Sequence, residues 1–269
     1  MNLGEENPKQ KGLMRIEKGC SLGEFAEQAQ SYVQDLITLH PAFRDLGVMN
    51  DTPGPFPPIN ESATNVAELV TEWGWDHQMP DAFTDLDELR RPTATSRPTG
   101  TMGFHLDLSN RHSSWDDRLT VSVRRNNAGP RPHRPLRGVF NLCLPRAAHP
   151  EFRTDILLAR RLMELAVRHW PVQTLQYGLD GMDLTVNARG DLSSSRKNQE
   201  LNWLSYSDDP SLANALPPEV RVEPLGPGIL MQLSPTILSH HNPEHVDLAE
   251  RVRDSLEAAG KLALKQPTI

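Results

Sequence analysis

The feature that most limits the fold of this chain is a change of apolar period along its length. Up to Trp75 the apolar residues recur at helical spacing. From Phe104 onward they mostly alternate with polar ones, and after Pro243 the helical spacing returns. A period near 3.6 buries one stripe of a helix, whereas a period of 2 buries one face of a strand. Helices that lead, strands that dominate the middle and a closing helix do not make a βαβ alternation. The pattern predicts an α+β fold: a mostly antiparallel central sheet with N-terminal, middle and C-terminal amphipathic helices.

The boundaries follow from local chemistry. Ser21 reads as a helix N-cap with Glu24 as its capping-box partner. Leu22, Phe25, Ala29, Tyr32 or Val33, Leu36 and Leu39 then form one stripe, and His40-Pro41 ends it because a residue before proline leaves the helical region. Thr52 to Ile59 (TPGPFPPI) reads as a stiff linker. A second helix is predicted over Ser62 to Trp75, with Val66, Leu69, Val70 and Trp73 on one face. Met79 to Thr101 reads as loop. Strands are predicted where Phe104, Leu106 and Leu108 alternate, where Leu119, Val121 and Val123 alternate, and over Gly138 to Leu144. An Arg/Pro connection, Asn126 to Leu136, separates the last two. One continuous helix is predicted over Phe152 to His169, with Leu158, Leu162, Leu165 and Ala166 inward. Further strands are expected at Thr174–Leu179, Met182–Asn187, Trp203–Tyr206, Glu219–Val222 and Ile229–Leu233, and a helix over Pro243 to Leu262. Residues 1–20 read as a loosely ordered leader. Residues 21–265 read as a single domain, with an acidic helical part (21–88) and a sheet-rich part (102–265).

Charge divides the chain as sharply as periodicity does. From Glu17 to Glu88 fourteen acids face only Lys18 and Arg44, a net of −12. From Leu89 to Arg137 ten arginines face three aspartates, a net of +7. Two readings follow, and they are compatible. The stretches neutralise each other inside the molecule, or the acidic third is displayed to a basic partner and steers its encounter. The whole chain carries −7, which disfavours bulk nucleic-acid binding. No run of about 18 apolar residues suggests a membrane span. The start, MNLGEENPKQKG, has no apolar core of a signal peptide, so cytoplasmic action is expected.

Motifs for chemistry are sparse. G-x-S-x-G, H-E-x-x-H and the phosphate-loop pattern are all missing. His240, His241 and His245 are close in sequence, but Asn242-Pro243 between them reads as a capped helix start and spoils the helical spacing a zinc pair would use. No metal and no cofactor are expected. Gly178 to Gly181 (GLDG) reads as a hairpin turn. Cys20 and Cys143 are too few for a disulfide framework, and Cys143 in VFNLCL reads as a buried packing thiol. A hydrolase site assembled from His105, Asp107, His112 and His240 stays open as an alternative, as does a structural or adaptor protein built around the Pro-rich loops. Trp73 and Trp75 straddle a glycine, so one should pack inward and the other reach the surface.

The C-terminal half carries a family likeness. Thr174–Thr185 (TLQYGLDGMDLT), Asn202–Tyr206 (NWLSY), Leu225–Leu233 (LGPGILMQL) and Asn242–Val246 (NPEHV) resemble the immunity protein 52 family. The N-terminal helix ending at His40-Pro41-Ala42-Phe43 is similar as well, so the likeness runs roughly from Ser21 to Gly260. The chain departs from the family pattern at Asn202, where a glycine is usual, at Phe43…Leu46, and in the segment Arg124–Arg137. The resemblance implies a non-catalytic immunity protein. Its partner would be a cognate bacterial toxin with a restriction-endonuclease-like nuclease domain, often delivered by a type VI secretion system. No direct contact with nucleic acid or membrane is implied, and self-association is left unassigned. On this reading the toxin-facing surface draws on Glu24, Glu27, Asp35, Glu68, Glu72 and Asp76, with Trp75 as an apolar anchor.

Overall fold

A computed structural model describes residues 7–16, 20–49, 56–74, 104–110, 112, 114–125, 136–179, 201–239 and 242–261. The chain forms two compact units. One, here the helix-capped unit, comprises Gly12–Cys143 and Leu165–Val172; the other, the C-terminal unit, comprises Met1–Lys11, Leu144–Glu164 and Gln173–Ile269.

In the helix-capped unit four strands run in the order β2-β3-β4-β5: β2 (Gly47–Val48), β3 (Phe104–Ser109), β4 (Thr120–Arg125) and β5 (Leu136–Cys143). All three pairings are antiparallel. Strand β1 (Pro8–Ile16) contributes its Gly12–Ile16 part to this unit, beside β5. The alternation read from the sequence is reproduced in burial: Phe104, Leu106, Leu108, Val121, Val123, Phe140 and Leu142 are all inward and fully covered. Helix α1 (Leu22–Leu39) covers that face with Leu22, Phe25, Ala29, Tyr32, Val33 and Leu36, and Phe25 and Tyr32 meet Phe104 and Phe140 ring to ring. Both halves of the capping box are present: Ser21 accepts from the Glu24 N–H, and the Glu24 carboxylate accepts from the Ser21 N–H. The short helix α2 (Val66–Trp73) starts four residues later than predicted. Its cap residue Asn65 turns back to Pro58 and Asn60, so the Ala67 N–H is taken instead by Gln30 of α1.

The C-terminal unit holds the strand order β6-β7-β9-β8: β6 (Val172–Leu179), β7 (Leu204–Ser207), β8 (Arg221–Leu225) and β9 (Gly228–Gln232), antiparallel throughout. Its helices are α3 (Glu151–Thr154), the larger part of α4 (Ile156–His169) and α5 (Pro243–Ala258). Gly178 is required here by close approach. A Cβ at that position would lie 1.8 Å from Asn202 Oδ1, which accepts the Trp203 N–H.

Two expectations are corrected. Residues 8–16, expected within a loose leader, form β1; its inward positions include Pro8 and Gln10, and Gln10 is held by a bond from Nε2 to the Leu162 carbonyl. The single helix over Phe152 to His169 is two, because Asp155 takes an extended conformation and its carboxylate accepts from the N–H groups of Leu157 and Leu158. A side chain that can hold free helix N–H groups starts a new helix rather than continuing the old one. The predicted strand Met182–Asn187 and the GLDG turn beyond Leu179 lie outside the described residues.

Candidate partner-binding surface

The acidic N-terminal residues divide into two kinds. Glu24 is exposed, but its carboxylate is engaged by the Ser21 N–H at 2.6 Å. Asp35 faces the end of α4: its Oδ2 lies 2.8 Å from His169 Nε2 and accepts from Arg168 Nη1 at 3.4 Å. His169 is nearly covered, packed edge-on against Tyr32, and its carbonyl accepts from Gln28. These two acids thus do work inside the helix-capped unit. Glu27, Glu68 and Glu72 are exposed, the first on α1 and the others on α2. Trp75 and Asp76 lie outside the described residues, and Trp73 is half-buried. The internal partner of Asp35 stands 134 residues away, and no local spacing announces it.

The residues considered for chemistry separate in the same way. His105 and Asp107 alternate onto the outer face of β3, with 4.0 Å between Nε2 and Oδ2. Arg124, across on β4, donates to the same Asp107 oxygen at 3.3 Å. The result is a cross-strand ion pair in which Arg124 is exposed and Asp107 is mostly covered. His112 is exposed and its backbone N–H donates to Asn110; His240 lies outside the described residues. Nothing described brings those four residues together.

Of the three histidines considered for a metal, His240 and His241 are outside the described residues. His245 is inside α5, where Nδ1 accepts the Ser239 N–H at 3.0 Å, so that nitrogen buttresses the helix start. Asn242 caps the helix through the Glu244 N–H with Pro243 in its first turn, as the sequence predicted. Cys143 is a correction: it is half-buried rather than buried, because Phe140, Leu142 and Leu144 take the inward positions and leave it on the alternate face. Cys20 is buried.

The motif residues of the C-terminal half hold structure. Trp203 is fully buried and its indole donates to the Ser234 carbonyl at 2.9 Å. The Asn202 N–H donates to Ser205 Oγ. Tyr177 donates to the Phe152 carbonyl at 2.6 Å, and burial pushes its phenol well above the ordinary range. Tyr206 is buried as well, and burial together with the nearby Asp208 pushes its phenol up to about 12.

Residues 189–265 match the immunity protein 52 family. That span covers β7, β8, β9 and α5 and falls wholly in the C-terminal unit. Three of the quoted motifs, Asn202–Tyr206, Leu225–Leu233 and Asn242–Val246, lie inside it. The N-terminal helix, which also suggested the family, does not, and neither does any acid assigned to the partner surface. Among solved structures, a Pseudomonas aeruginosa T6SS protein is similar, with 11% identity, 93% of this chain and 73% of that chain covered, and a TM-score of 0.48. No curated protein matches the chain significantly. No described helix is long and apolar enough to cross a membrane.

Proposed function

We propose that this chain is a non-catalytic immunity protein that binds a cognate bacterial toxin and neutralises it. The observation that carries the reading is the immunity protein 52 match over residues 189–265. A toxin that is a nuclease fits the charge of the partner surface. A protein that grips DNA presents cations around its site, and exposed carboxylates can compete for them. Glu27 and Glu68 are exposed acids suited to that role, and Glu72 is exposed beside Glu68; Glu24 and Asp35 also make bonds within the unit. Type VI delivery of the toxin and protection of the producing cell from within its cytoplasm complete the proposal.

Co-expression tests it. If the neighbouring gene encodes the toxin, cells making its product should survive, with intact chromosomal DNA, only when this chain is made with it. Survival that depends on exporting the chain would contradict cytoplasmic action. Death of the cells despite a soluble, folded chain would overturn the function. Loss of viability without DNA breakage in the unprotected cells would remove the nuclease and leave the immunity role.

A further inference from the structure

We draw no further inference here: the strongest candidate, the acidic outward face of α5 carrying Glu244, Asp247 and Asp254 in the C-terminal unit, is a cluster of carboxylates alone, and nothing in the structure shows what covers it.

Discussion

The two kinds of acid in the N-terminal third should respond oppositely to mutation. Consider first Glu24→Ala with Asp35→Asn. Loss of the Glu24 half of the capping box costs about 0.5–1 kcal/mol, the lower part of the range for a helix cap, because Ser21 keeps its own bond to the Glu24 N–H. Asp35 is 40% exposed, so solvent screens its pairing with His169 and Arg168, and its loss costs roughly 0.5–1 kcal/mol. The sum is about 1–2 kcal/mol, a fall in melting temperature of roughly 2–8 °C for a chain of this size. Toxin association should be nearly unaffected. The second variant is Glu27→Lys with Glu68→Gln; Glu68 takes glutamine because a cation in the first turn of α2 would oppose the helix dipole. Here stability should hold, while association slows several-fold at low salt. The difference should fade as salt rises, because the screening length shrinks from about 10 Å at 0.1 M to about 3 Å at 1 M. Stopped-flow association at two salt concentrations beside thermal melts separates the two. If the second variant melts lower and associates at the parent rate, the exposed acids are structural, and the steering argument is wrong.

Further outcomes follow from the C-terminal unit. Tyr177→Phe leaves the buried Phe152 carbonyl without its donor and should destabilise the chain by about 1–3 kcal/mol in denaturant melts. Gly178→Ala drives a methyl into Asn202 and should destabilise it by about 1–3 kcal/mol, partly relieved by Asn202→Gly, which removes the obstructing side chain. The Tyr206 phenol is raised in the folded state, so the unfolded chain ionises first; stability should fall as pH rises from about 10 to about 12, and less steeply in Tyr206→Phe. Asp209 is held below its ordinary range by its hydrogen bonds to Ser211 and Lys261, with Lys261's charge adding to this; its contribution should be present above the unfolded carboxylate value and lost on acidification, with a smaller loss in Lys261→Met.

Local signals were the legible ones. The capping box at Ser21, the alternation through Phe104–Leu108 and Leu119–Val123, and the Asn242-Pro243 helix start depend on residues within a few positions of one another, and all appear in the structure. Strand β1 escaped because its inward residues include a proline and a glutamine, and the Gln10 Nε2 donates to a carbonyl 152 residues away. The break at Asp155 escaped because helical periodicity continues across it, while a carboxylate in the middle captures the N–H groups that define a new start. The role of Asp35 escaped for the same reason as that of Gln10: its partner is fixed by packing. The outer face of that sheet was half legible. Val139 and Arg124 alternate away from the core in any strand reading, but only register shows that they are neighbours and that Leu13 joins them.

Titration calorimetry of the full chain against a catalytically inactivated form of the toxin that it protects against in co-expression tests the central claim most directly. The account predicts a saturable one-to-one complex of sub-micromolar affinity. No measurable complex between two folded proteins would contradict it.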